Sequence, residues 1–323
     1  MSMKKIDYRN NYEFIDSAYL NNATVMDFLL RLKIVALSRF QWKLPKSMNS
    51  FWLERCLYYD GQATLLKDKN YGFINTKCCT NGKINIYGLP VGFNCYSFEY
   101  STNRKLYTGL NETLSQAQQE VRDYYECILV QNMMECEATA PHMELYALRM
   151  YEAQRSADVN VQTQKFPYII VTDEAQRLTM VNLYKKVNGN EPAIFGDKNN
   201  LNPDQIRVLK TDSKFIADQL NDYKKEIWNE ALTFLGINNI MIQKKERLIT
   251  DEANSNNEVI NCYMENYLAP RKKACEQFNE KYRLKGTENE ISVRITPNLK
   301  EIVQYVQNAP SNMINNNEVI KNG

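Results

Sequence analysis

Apolar positions along this chain change period several times, and those changes divide it into segments. From Ala23 to Phe40, Val25, Phe28, Leu29, Leu32, Val35 and Ala36 recur at helical spacing. FQWKLP then stops the helix at Pro45, because proline disfavours helix in the residue before it. Asn49 to Tyr59 is expected as a second, short helix whose Phe51, Trp52, Tyr58 and Tyr59 form packing surface rather than a base-stacking platform. Between Gly61 and Tyr107 the period becomes that of strands: ATLLK, YGFINT, KINIYG and FNCYSFEY are separated by Asn-Gly, Gly-Leu-Pro and Asp-Lys-Asn turns. These runs predict a small antiparallel β unit, with Asn81-Gly82 as its sharpest hairpin signal. Asn111 to Tyr124 reads as a polar helix opening at Thr113, and CILVQN at 127–132 as a further strand.

Two long helices follow. One runs from Thr139 through Met143, Tyr146, Ala147, Met150, Ala153 and Ala157 to about Val161. In the other, starting at Ser213, Ile216, Leu220, Tyr223, Ile227, Ala231 and Phe234 alternate in steps of three and four, Asp212 or Ser213 can cap the start, and Gly236 can close the end. Between them Phe166 to Lys210 reads as strand (PYIIV), helix (DEAQRLTMVNLYKKV, capped by Thr172 or Asp173), strand (PAIF) and strand (IRVLK), a compact α/β insert. After the second helix, NNIMIQKKERLITDEANSNNE has no sustained apolar period, so Lys244, Lys245 and Arg247, followed by Asp251 and Glu252, are expected on a charged loop. Glu258 to Leu284 is helical in pattern, with Pro270 expected to kink or split it; Glu290 to Thr296 alternates as a strand and Asn298 to Gln307 as a short helix. Residues 1–22 are polar and nearly neutral, an arm ordered only by neighbours, and the Asn-rich 308–323 a disordered tail. The fold class is α+β, mainly helical.

Composition narrows the function more than the fold. With 44% hydrophobic and 24% charged residues in 323, the chain is a soluble globular protein of one large or two ordinary domains. A net charge of +2 means that contact with nucleic acid must come from local clustering or from many copies acting together. Eight cysteines without a C-x-x-C pair read as reduced, mostly buried thiols of a cytosolic protein, and adjacent Cys78 and Cys79 hardly ever pair with each other. No apolar run approaches the roughly 20 residues that cross a bilayer, so no membrane association is expected.

Catalytic motifs fail on inspection. GNEPAIFG at 189–196 has neither the spacing nor the lysine of a P-loop. His142, the sole histidine, sits beside Pro141 at a helix start and is expected as a surface or cap residue, so no catalytic residue and no cofactor is assigned. Glu246, Asp251 and Glu252 have the chemistry to hold Mg²⁺ for a nuclease, but their segment has no apolar support to fix ligand geometry, and a solvated loop is the better reading; no metal is expected. Three cations on one loop would bind DNA weakly in a monomer. In a closed ring with the loop inward, each becomes a circle of charge.

The residues that carry a family likeness are VLKTDSKFIADQLN (208–221), IWNEALTFLGI (227–237) and KKERLITDEANSNNE (244–258), supported more weakly by FQWKLPKSMNSFWLER (40–55), TAPHMELYA (139–147) and NEPAIF (190–195). Over roughly Ala23 to Leu284 the chain resembles the portal proteins, also called upper collar or head-tail connector proteins, of small short-tailed phages of the phi twenty-nine type. The resemblance implies a portal fold: a wing containing a small SH3-like β barrel, long stem helices and an α/β clip. Mapped on this chain it implies an arm at 1–22, wing at 23–138 and 258–307, stem helices at 139–165 and 211–236, a clip at 166–210 and a channel loop at 237–257. It also implies a ring of twelve copies at the capsid portal vertex of the virion, assembled in the bacterial host cytoplasm. Its implied partners are double-stranded DNA contacted non-specifically through the backbone, further copies of itself, the major capsid protein and scaffold, a packaging ATPase and a lower collar or tail protein. Channel lysines of the family fall on Lys210, Lys244 and Lys245, with Arg247 beside them as channel lining, and a further one falls on Gln219, which removes a ring of charge. RNA binding by a basic arm does not carry over. An adaptor ring of the tail or collar without a DNA-gating role is the alternative, and a metal-dependent nuclease the remote one.

Overall fold

The computed structural model describes residues 12–109, 115–165, 168–171, 207–210, 214–238 and 250–308. In chain order the elements are α1 (Tyr12–Leu37), β1 (Phe40–Lys43), α2 (Ser50–Asp60), β2 (Gln62–Asp68), β3 (Gly72–Thr80), β4 (Gly92–Tyr96) and β5 (Ser101–Leu106). They continue with α3 (Gln116–Tyr125), β6 (Glu126–Gln131), α4 (Ala140–Lys165), β7 (Tyr168–Val171) and β8 (Arg207–Lys210). The chain closes with α5 (Ala217–Phe234), α6 (Thr250–Lys281), β9 (Ser292–Ile295) and α7 (Leu299–Asn308). Two compact units result, Met1–Leu148 with Ile227–Gly323, and Arg149–Glu226.

In the first unit the expected small β unit is a closed barrel in the order β2-β3-β4-β5-β6. All neighbours are antiparallel except β5 and β6, which run parallel. Leu66, Cys78, Phe93, Cys95 and Cys127 fill its interior. On its outside a larger core joins Leu53, Cys56 and Leu57 of α2 to Ala63, Leu65, Ile128 and Val130 of the barrel and to Ala274, Cys275 and Phe278 of α6. Helix α2 follows its sequence signals closely: Asn49 Oδ1 accepts from the Trp52 N–H at 2.8 Å, and Gly61 ends the helix with φ of 72°.

Several expectations are corrected. Helix α1 begins at Tyr12, inside the segment expected as an arm, since no proline or glycine interrupts Tyr12–Leu37 and polar residues are tolerated on a helix. FQWK is not merely a helix stop: it forms β1, paired antiparallel with β9 from Phe40 opposite Ile295 to Lys43 opposite Ser292. KINIYG is not a strand, and Asn81-Gly82 does not close a tight hairpin, because β3 and β4 are joined by the whole stretch Asn81 to Val91. There Asn85 Oδ1 accepts from the Tyr87 N–H at 2.9 Å and the Leu89 N–H at 3.0 Å, a local turn that competes with the ladder. Strand β5 carries no alternating apolar pattern, because STNRKL is polar and only Arg104 in it is buried. Helix α3 starts from a Ser115–Gln118 capping box, while Thr113 lies outside the described residues. Helix α6 reaches back to Thr250, into the expected loop. Pro270 lies within α6 without splitting it, and Arg271 Nη1 donates to the Tyr267 carbonyl at 2.8 Å in the turn that the proline disturbs.

In the second unit β7 and β8 pair antiparallel, from Tyr168 opposite Lys210 to Val171 opposite Arg207. They correspond to the expected strands PYIIV and IRVLK, while the expected helix at 173–187 and the strand PAIF lie outside the described residues, as does the 308–323 tail beyond Asn308. Helix α5 starts at Ala217 rather than Ser213, and its first turn is satisfied from α4: Asn160 Oδ1 accepts from the Ile216 N–H at 2.9 Å while Asn160 Nδ2 donates to the Lys214 carbonyl at 2.9 Å. Asp212 and Ser213 lie outside the described residues. Ala153, Ala157 and Ala217 are buried here.

Gly61 tests the barrel's junction with α2. A Cβ at this position would lie 2.0 Å from the Cys136 carbonyl oxygen, on a backbone already at positive φ. Gly61→Ala is expected to lower stability by about 2–4 kcal/mol, read as a lower urea midpoint at unchanged slope.

Candidate functional site

Of the residues assigned to DNA, the structure places Lys210 at the end of β8, opposite Tyr168. Lys244, Lys245 and Arg247, with Glu246, lie outside the described residues; Asp251 and Glu252 begin α6, and Gln219 is exposed on α5. The described residues therefore do not bring the four cations together. They do define how the chain enters the basic segment. Helix α5 ends with the Ile237 N–H donating to the Leu232 carbonyl at 2.8 Å, and Gly236 takes φ of 73°. A Cβ on Gly236 would lie 2.5 Å from the backbone nitrogen of Met264, so the helix end seats directly on the α6 backbone.

Three buried charged residues without a recognisable sequence motif hold this region. Glu54 of α2 and Arg271 of α6 form a two-pronged ion pair, Nε to Oε1 and Nη2 to Oε2, both at 2.9 Å. Trp42 Nε1 on β1 also donates to Glu54 Oε1 at 2.7 Å. The remaining Arg271 donors reach the Asn132 carbonyl at 2.7 Å and Asn132 Oδ1 at 3.1 Å. One buried guanidinium thus joins α2, α6 and the residue that follows β6. Arg39, 1% exposed, packs 3.9 Å from the centre of the Tyr267 ring and donates from Nε to the Ala36 carbonyl at 3.1 Å and from Nη1 to the Leu235 carbonyl at 3.0 Å. It binds the carboxyl ends of α1 and α5, where helix dipoles favour a cation. Burial above all pushes its pKa below the usual arginine value. The signal that could have found these residues is a charge embedded in apolar sequence, as in RFQW and APRKKAC.

Other chemistry is sparse. His142 is half-buried, its ring 4.7 Å from that of Phe234 between centroids. Desolvation raises two buried thiols, Cys56 to about 11 and Cys275 to about 12, which removes their nucleophilic character; Cys79 and Cys262 are exposed. A polar recess lined by Tyr107, Arg122, Asp123, Lys281 and Arg283 has two of its cations engaged, since Arg122 and Lys281 each meet Glu126 at 3.0 Å. Among the described residues no group of three or more His, Cys, Asp or Glu side chains is placed to hold a metal ion. None of the described helices is long and apolar enough to cross a membrane.

The model of the family described as Phage Connector (GP10) matches residues 7–300. This chain belongs to the phage connector family. A connector is a structural component of the virion, joining head to tail, and that role implies contact with capsid and tail proteins. Among solved structures, one of the portal and tail of native bacteriophage P68 is similar over 91% of this connector and 94% of that chain, at 14% identity and a TM-score of 0.43.

The buried pair yields a directional prediction for the connector. Arg271→Met leaves Glu54 buried without its partner and is expected to cost about 3–5 kcal/mol, whereas the double replacement Glu54→Gln, Arg271→Met recovers a large part of that loss. Thermal unfolding of the two variants and of Glu54→Gln checks this as a double-mutant cycle.

Proposed function

We propose that this connector forms a portal ring of twelve copies at a capsid vertex, through which double-stranded DNA enters during packaging and leaves at infection. Supporting it is one observation, the apolar residues that a single copy leaves uncovered on its long helices. Leu145, Leu148 and Val159 stand exposed on α4, as do Tyr223 on α5 and Phe215 and Ile216 just before it. Isolated exposed apolar residues are ordinary, but a series along two long helices suits a surface closed by neighbouring copies in a ring. In this reading α4 and α5 are stem helices, 166–210 the clip, and the barrel with α6 and α7 belongs to the wing.

Lys210, Lys244, Lys245 and Arg247 are the residues assigned to the channel wall. Each copy contributes few cations, which suits a wall along which a polyanion must slide: contacts that are weak, repeated and salt-sensitive hold DNA without arresting it. Nearby Asp251 and Glu252 limit the attraction, and Gln219 leaves one level of the channel uncharged. The ring is non-enzymatic, and a separate packaging ATPase supplies the work. Head proteins, scaffold and a lower collar or tail protein are its remaining partners.

Assembly and DNA contact are separable. Leu148→Glu with Tyr223→Glu is expected to abolish the ring while leaving the circular dichroism of the monomer unchanged; native mass measurement of the purified protein gives the copy number of the parent. Lys244→Ala with Lys245→Ala is expected to leave the ring intact and to reduce DNA retention in assembled particles. Unchanged retention in that double variant would remove the channel assignment of this segment without touching the ring.

A further inference from the structure

Three buried thiols, Cys78, Cys95 and Cys127, meet in the barrel interior. Their strand positions are informative. Cys78 on β3 lies directly opposite Cys95 on β4. In the continuation of the same ladder the Asn81 N–H donates to the Gly92 carbonyl at 3.0 Å, so residues 81 and 92 form a hydrogen-bonded pair. Pair types alternate along an antiparallel ladder. Residues 79 and 94 are therefore hydrogen-bonded, and 78 and 95 fall at a non-hydrogen-bonded position. At such positions Cα atoms approach to about 4.5 Å with side chains turned toward each other, inside the range of roughly 4.4–6.8 Å that a disulfide spans. Both side chains point into the same core, at 5% and 0% exposure.

We propose that Cys78 and Cys95 form a redox staple: two thiols in a reducing compartment, and a disulfide once the particle meets a peroxide. Cys95 is the attacking group, since its pKa is held below the usual thiol value, above all by the Cys127 thiol beside it and against the cost of burial. Its sulfur attacks one peroxide oxygen; the S–O bond forms, the O–O bond breaks, and the leaving hydroxide takes up the thiol proton as water. The Cys78 sulfur then attacks the Cys95 sulfenic sulfur; the S–S bond forms, the S–O bond breaks, and the sulfenic hydroxyl leaves with the Cys78 thiol proton as a second water. Two thiols thus lose two protons and two electrons, and hydrogen peroxide gains them as two waters.

The staple would close the base of the loop from Asn81 to Val91. This loop holds no charged residue beyond Lys83, and it presents Ile86 and Tyr87 at 91% and 79% exposure. A cross-link at its root would hold that apolar tip in one position after release from the host.

The test uses the full chain, reduced and then treated with hydrogen peroxide, with remaining thiols alkylated in denaturant before tryptic digestion. The expected product is peptide 78–83 joined to peptide 84–104, present in the parent and in Cys79→Ser, and absent in Cys78→Ser and Cys95→Ser. In the parent the oxidised form should melt roughly 5 °C or more above the reduced form, with the gain reversed by dithiothreitol. Complete alkylation of Cys78 and Cys95 overturns the proposal. So does a bond from Cys95 to Cys127, or one confined to exposed Cys79 or Cys262 between chains. The parent and Cys79→Ser measurements decide the matter even where another variant fails to fold.

Discussion

The first unit depends on one desolvated charge arrangement. Glu54 and Arg271 are withdrawn from water, and the pair persists because its geometry is complete: two parallel bonds between them, with Trp42, Asn132 and Tyr267 taking up remaining donors and acceptors. Such a pair adds little net stability over a well-packed apolar substitute, since attraction in a dry interior roughly offsets the cost of removing both ions from water. What it confers is position. Apolar contact alone lets helices slide, whereas a bidentate guanidinium is satisfied at one rotation and one height. Arg271 therefore sets α6 against α2 and against the end of β6.

Arg39 extends the same constraint without a carboxylate of its own. It lies between aromatic rings and draws on the carbonyls that end α1 and α5, so the negative ends of two helix dipoles take the place of a counter-ion. The chain leaves α5 at this point and enters the basic segment. Gly236 seats this exit against the Met264 backbone, and in the proposed ring the same root would recur in every copy. Under that proposal, position would come from the core and affinity from repetition by symmetry.

The structure also separates two kinds of apolar surface. The faces of α2, the barrel and α6 bury one another within one copy. By contrast, Leu145, Leu148, Val159, Phe215, Ile216 and Tyr223 remain exposed although the helical period at Ile216, Leu220 and Tyr223 continues unbroken into the buried Ile227 and Ala231. The period cannot distinguish a face meant for the same chain from one meant for a neighbour, because the transfer of a side chain from water is favourable in either case.

By itself the sequence determined the local elements wherever the physics is local. Helix α2, the end of α5 at Gly236, the strands β2, β3, β6 and β9, and the presence of a small β unit were legible from spacing, turn and cap chemistry, and the quoted segments between residues 40 and 258 carried the family. Tertiary structure alone decided what depends on distant partners. FQWK became a strand because SVRI lies beside it; polar STNRKL became the strand that completes the barrel; Asn160 rather than a neighbouring residue satisfied the start of α5. Arg39, Glu54 and Arg271 become meaningful only when segments more than a hundred residues apart meet, since a charge in sequence carries no mark of whether water will be removed from it.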